Sequence, residues 1–179
     1  MSSISMRIAL ASLAMSLGGQ SFAADSSLNE PARVVFVCEH GSVKSLIAMV
    51  YFNRSAQERG LPYRAVARGT APEPTVPGPV REGLHAAGFE VSEFVPQLFK
   101  ASDVDGASLV VSFDQDIDKT VGGRARHSRW DNLPGVLANY ARGRDAIVRH
   151  VDVLLDELAR SAAEQPPEVR VPAESSHLE

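Results

Sequence analysis

The chain holds one thiol, Cys38, and the residues after it read Glu39-His40-Gly41-Ser42-Val43-Lys44-Ser45. A thiol attacks as its thiolate, which is favoured where backbone N–H groups and cations converge. The run Arg33-Val34-Val35-Phe36-Val37 before it is the pattern of a strand buried on both faces, and residues 46–57 are mostly good helix formers. The octet 38–45 therefore spans a strand-to-helix turn. A helix N-terminus leaves N–H groups unpaired and carries partial positive charge, so it attracts anions. Gly41 can take positive φ and curl the loop so that successive amides point inward. Lys44 adds a full charge, and Ser45 offers a hydroxyl to the sulfur. The expectation is a cradle for a tetrahedral oxyanion built by Glu39, His40, Gly41, Ser42, Val43, Lys44 and Ser45, with Cys38 as nucleophile at its base. The plainer alternative is a buried structural cysteine beside an ordinary turn.

Other chemistry-bearing residues form no comparable set. Asp114, Asp116 and Asp118 alternate, but an EF-hand needs glycine where Lys119 sits and a terminal glutamate that is absent, so they read as an acidic rim past a strand. His40 lies in the loop, where it either tunes Cys38 or points to solvent. His85, His127 and His150 lack ligand spacing, and one cysteine excludes a multi-cysteine zinc site, so no metal is expected. Tyr51, Phe52 and Trp130 read as core or rim rather than a nucleotide-stacking set. Arg124, Arg126 and Arg129 read as a solvated face, with an anionic approach as the alternative.

The elements that must position Cys38 follow from pattern and composition. The sequence has 179 residues, 18 basic against 22 acidic, 44% hydrophobic and 6% aromatic, which suits one compact domain with a real core. A formal charge of -4 gives no electrostatic footprint for nucleic acid. Strands are expected at 33–37, 63–67 and 109–113, with a fourth at 123–130. Helices are expected at 46–57, around Val80, Leu84 and Ala87 up to Gly88, and at 140–160, where Ile147, Val151, Leu154 and Leu158 share one face. Such alternation predicts an α/β fold: a single domain with a small, mostly parallel four-stranded sheet and helices on both faces. In open parallel sheets ligands bind at the carboxyl ends of the strands, which is where Cys38 falls.

The ends of the chain read differently. Arg7, the uncharged stretch 8–17 and Ser21-Phe22-Ala23 have the form of a signal peptide over 1–23, too short in its apolar part to span a bilayer. It is followed by a linker at 24–32. Export to a periplasm or the exterior is expected, with no membrane association after cleavage. Residues 161–179, with Pro166, Pro167 and Pro172 among Glu, Ser and Ala, read as a flexible tail after a domain at 33–160.

Val34-Val35-Phe36-Val37-Cys38, five residues, a basic residue and then Ser45 resemble the start of the low-molecular-weight protein tyrosine phosphatases and the related arsenate reductases. The resemblance continues through Ala67-Arg68-Gly69-Thr70, Gly88-Phe89, the strand 109–113 before an acid, and the last helix. It covers roughly 33–160. It implies the low-molecular-weight phosphatase fold and hydrolysis of phosphate monoesters through a phosphocysteine, without a cofactor. The substrate would be a phosphorylated protein, a small phosphate ester or another tetrahedral oxyanion. Cys38 would attack, the loop amides and Lys44 would steady the equatorial oxygens, and a late aspartate would protonate the leaving group. Three departures stand out. Lys44 replaces the family's arginine, exchanging a planar fork for a point charge. Gly41 replaces its asparagine. The family's Asp-Pro pair is absent, and the nearest equivalent is Asp131 in Trp130-Asp131-Asn132-Leu133-Pro134, with Asp114 as a rival. Two other readings stay open: an arsenate reductase drawing on an external thiol, since no second cysteine can resolve an adduct, and a non-catalytic oxyanion-binding module.

Overall fold

The computed structural model describes residues 30–164, so the expected signal peptide, most of the linker and the end of the tail lie outside the described residues. The chain runs β1 (Ala32–Cys38), α1 (Lys44–Glu58), β2 (Tyr63–Gly69), α2 (Gly78–Ala86), α3 (Ala101–Val104), β3 (Ala107–Phe113), α4 (Asp118–Val121), β4 (Arg126–Trp130) and α5 (Tyr140–Glu164). The four strands form one sheet in the order β2-β1-β3-β4, every pairing parallel. This is the α/β architecture expected from the alternation. The short helices α3 and α4, of four residues each, carry no periodic signal and were not anticipated. α5 continues to Glu164, past the expected tail boundary, because residues 161–164 are helix-compatible and the prolines begin only at Pro166.

The continuous apolar run of β1 follows from its central place. Val34, Val35, Phe36 and Val37 are all fully buried, because β1 has a strand on each side and cover on each face. On one face Val34, Phe36, Val111 and Phe113 meet Leu46, Ile47 and Phe52 of α1, Val80 and Leu84 of α2, and Ile147, Val151 and Leu155 of α5. On the other, a smaller cluster of Val35, Val37 and Val110 is covered by Val104, Ile117 and Val121 around α3 and α4. Trp130 at the end of β4 packs its ring 5.7 Å from Phe36 and 5.4 Å edge-on to Phe113, and Tyr51 packs 4.8 Å from Phe89. These aromatics hold the core.

The parallel register brings Cys38 level with Gly69, at the carboxyl ends of β1 and β2. β3 ends beside them at Phe113, and β4 at Trp130. The loops after all four strands therefore open on one edge of the sheet.

Candidate active site

The loop after Cys38 is shaped by its neighbour. Gly41 takes φ +70° and lies against the end of β2: a Cβ there would come within 2.9 Å of the Gly69 amide nitrogen. A Cβ on Gly69 would in turn lie 2.7 Å from the Gly41 nitrogen and 2.8 Å from the His40 carbonyl carbon. Only glycine at both positions allows this approach. The chain beyond β2 then straps the loop: Thr70 N–H donates to Cys38 O at 3.0 Å, Ala71 N–H to Glu39 O at 2.8 Å, and Glu73 N–H to His40 O at 3.2 Å. With the carbonyls tied outward, amides are left to face the sulfur. Gly41 N–H donates to Cys38 Sγ at 3.3 Å, and Ser45 Oγ lies 3.1 Å from the same sulfur.

α1 opens directly on this loop. Val43 is its N-cap, no side chain caps the helix, and its first turn holds no acid. A capping carboxylate or hydroxyl would fill the place of an anion; here the first-turn amides keep no side-chain partner. Ser42, fully buried, donates instead to Glu73 Oε2 at 3.0 Å and anchors the loop from behind.

A cavity of about 270 Å³ lies over the cysteine, lined by Cys38, Glu39, His40, Val43 and Lys44 from the loop, Phe113, Asp114 and Gln115 after β3, and residues 135–138 after β4. The structure thus places Cys38, Glu39, His40, Val43 and Lys44 around one cavity. Gly41, Ser42 and Ser45 serve the cradle from behind through the contacts just described. His40 lies between carboxylates, 3.8 Å from Glu73 Oε1 and 4.0 Å from Glu39 Oε2.

Asp131, the expected acid, lies apart from this cavity. Asp131 pairs with Arg129 at 3.1 Å, and its side chain is not among the residues lining the cavity. Its loop supplies the wall 135–138 but no carboxylate to it. Asp114, the rival, does line the cavity. Its Oδ2 lies 2.5 Å from Lys44 Nζ and its Oδ1 accepts the Asn132 N–H at 2.8 Å. Burial pushes its carboxyl up, but the Lys44 hydrogen bond, the Asn132 amide and the charges of Lys44 and Arg129 outweigh that and hold it below the ordinary carboxylate range. Asp114 was legible only as the residue after a strand. Gln115, hydrogen-bonded to Thr70 Oγ1 at 2.9 Å, and Glu73, inside a proline-rich connection, carry no pattern that marks them.

A second polar string lies on the far face. Ser112 Oγ is 2.9 Å from His127 Nε2, and His127 Nδ1 is 2.9 Å from Asp118 Oδ1. It has the residue types of a hydrolytic triad, but Ser112 is fully buried, so the string ties α4 to β3 and β4. Arg124 likewise holds Asp105 and the Thr120 carbonyl, each at 2.7 Å. Among the described residues no three His, Cys, Asp or Glu side chains are grouped to hold a metal ion, and no helix is long and apolar enough to cross a membrane.

The family model for low molecular weight phosphotyrosine protein phosphatase matches residues 33–161. Among curated proteins no sequence matches significantly. Solved structures share the fold. A low molecular weight protein tyrosine phosphatase from T. tengcongensis is 18% identical with a TM-score of 0.61, over 70% of this chain and 99% of its own. The YwlE arginine phosphatase from Geobacillus stearothermophilus is 16% identical with a TM-score of 0.64, over 76% and 99%. An arsenate reductase from Archaeoglobus fulgidus is 22% identical with a TM-score of 0.53, over 69% and 98%. A family-model match over residues 33–161, most of the chain and including the strand-to-helix loop after Cys38, leaves a single assignment: the chain belongs to the low molecular weight phosphotyrosine protein phosphatase family.

Proposed function

We propose that the protein hydrolyses phosphate monoesters through a covalent phosphocysteine on Cys38. The observation that carries this is the uncapped N-terminus of α1 opening on a thiol that already accepts the Gly41 N–H and neighbours the Ser45 hydroxyl. In the first step the Cys38 sulfur forms a bond to phosphorus as the ester P–O bond breaks, and the loop amides with Lys44 stabilise the equatorial oxygens. In the second, water breaks the S–P bond and releases phosphate. The leaving group needs a proton, and neither candidate aspartate is poised to give one: Asp131 lies on Arg129, and Asp114 is charged at neutral pH. Asp131 serves as the acid only by leaving Arg129 for the cavity mouth. Esters whose oxygen departs readily, such as aryl phosphates, are therefore the favoured substrates. Tyrosine phosphatases, an arginine phosphatase and an arsenate reductase all share this fold, so the fold leaves the leaving group open. The proposal includes export, on the pattern of residues 7–23.

The test is turnover of an aryl phosphate by wild type and Cys38→Ser. Wild-type release of phenol with trapping of phosphate on Cys38, absent in the serine variant, supports the reading. The position of Asp131 outside the cavity, paired with Arg129, favours a second reading, a binding module that holds oxyanions without turnover. Protection of Cys38 by phosphate with no hydrolysis selects it. Arsenate reduction with an added small thiol selects the reductase.

A further inference from the structure

Lys44 is the one Lys or Arg among the residues lining the Cys38 cavity, and its ammonium lies against Asp114. Asp114 has φ +52°, a conformation that few residues other than glycine, asparagine and aspartate adopt. Its carboxylate is gripped on both oxygens, by Lys44 on one and the Asn132 amide on the other. The charged groups that face it are Lys44 from α1 and Arg129 from β4, the latter already paired with Asp131. Glu39 and His40 line the same cavity from the loop, and Glu73 stands behind His40. The wall therefore presents one cation against two carboxylates, with the sulfur below them. A charged carboxylate only accepts hydrogen bonds. An oxyanion with no proton sets an acceptor against Asp114, whereas an oxyanion bearing an O–H donates to it and still offers its other oxygens to Lys44 and the amides.

We propose that Asp114 is a specificity-determining residue: fixed beside Lys44 in the wall of the cavity, it selects oxyanions that carry a proton on oxygen over those that carry none. Inorganic phosphate and the monoanion of a phosphate ester qualify; sulfate does not. The inference rests on the oxyanion-site reading above.

The experiment measures alkylation of Cys38 by iodoacetamide in the full chain at neutral pH, with added phosphate or sulfate. Phosphate is expected to protect at a concentration about tenfold below that needed for sulfate, the worth of one charge-assisted hydrogen bond. Asp114→Asn keeps an oxygen for the Asn132 amide and gains an N–H for sulfate, so it should close the gap by improving sulfate. A second measurement needs no variant: protection of wild type by phenylphosphonate, compared with unprotected protein at each pH, should strengthen as pH falls through the phosphonate's second ionisation. Equal protection by phosphate and sulfate in wild type, an unchanged ratio in folded Asp114→Asn, or a phosphonate effect independent of pH overturns the selectivity role. Protection by neither anion in wild type overturns the oxyanion site itself.

Discussion

At the carboxyl ends of β1 and β2 the cavity is built by backbone against backbone: Gly41 and Gly69 approach until neither tolerates a Cβ, and three backbone hydrogen bonds from residues 70–73 fix the loop. Across the cavity, at the ends of β3 and β4, the wall is built by side chains. Asp114 and Asn132 take positive φ, and the partly exposed Lys44–Asp114 pair sets its charge, with the Arg129–Asp131 pair outside the cavity. Close-packed backbone has few alternative arrangements, whereas exposed ion pairs are weak and easily exchanged. On the proposed reading the cradle side determines that an oxyanion binds, and the wall side determines which one and what happens to it.

The largest effect should come from touching the backbone side. Gly69→Ala places a methyl 2.7 Å from one backbone atom and 2.9 Å from another, and β1–β2 pairing prevents the strand from yielding. We expect a loss of about 3 kcal/mol, a drop of roughly 10 °C in melting temperature, and loss of anion protection at Cys38. Calorimetry and the alkylation assay read both. A wild-type melting temperature with intact protection would break the comparison, since the cradle would then be as adaptable as the wall.

That asymmetry also explains what the sequence discloses. Cys38, Gly41, Lys44 and Ser45 lie within eight residues, and a strand followed at once by a helix dictates their geometry, so the cradle is readable from local pattern. The parallel sheet was readable from the alternation of strand and helix patterns, and the continuous apolar run of β1 marked a strand buried on both faces. The wall draws on Asp114, Gln115 and residues 135–138, which sequence separation of seventy to a hundred residues brings opposite Lys44. No local spacing encodes that meeting. Asp131 has the expected neighbours in sequence, but Arg129 two residues before it holds its carboxylate at 3.1 Å, and which way that side chain turns is not written in the letters.

Next in size are changes at Lys44, which belongs to both sides: it opens α1 and pairs with the wall. Lys44→Ala removes the cavity's cation and should lower kcat/KM for an aryl phosphate by about 10²–10³, the cost of one oxyanion donor. Lys44→Arg restores a two-pronged donor and should raise kcat/KM by roughly tenfold. An unchanged rate in Lys44→Ala would remove Lys44 from the chemistry and leave only the amides.

A smaller effect concerns acid. Asp114 is held below its ordinary value in the folded state, so between that value and the unfolded one the unfolded chain binds more protons. Its contribution is present above about pH 3.8 and is lost as pH falls through the lower, folded value. Asp114→Asn should flatten the acid limb of the stability curve by a modest amount, because the side chain is 40% exposed and solvent screens the pair. Identical acid limbs in denaturant titrations of the two proteins would mean that the Lys44 pair contributes nothing to stability.

The smallest expected effect tests how the wall is seated. Residues 135–138 lead straight into α5, whose Gly143 packs under Val136, while the Tyr140 ring fills the space that a Gly83 side chain on α2 would take. The Tyr140 hydroxyl is buried and has no hydrogen-bond partner among the described residues, and burial, followed by the charge of nearby Tyr51, pushes it up from 10.0 to about 12. An unpaired buried hydroxyl contributes little or costs something, so Tyr140→Phe at neutral pH should change stability by less than about 1 kcal/mol and can raise it. In alkali the balance tips clearly toward phenylalanine. The folded state keeps its proton while the unfolded tyrosine ionises near 10, so stability present below that point is lost as pH rises toward about 12. Phenylalanine has no proton to lose, so the variant should outlast wild type in that window, with the Cys38 site unaltered at pH 7. Urea titrations at pH 7 and 11 measure both halves. If Tyr140→Phe costs several kcal/mol at pH 7, the hydroxyl has a partner in solution, and the wall is held by a specific hydrogen bond in addition to packing.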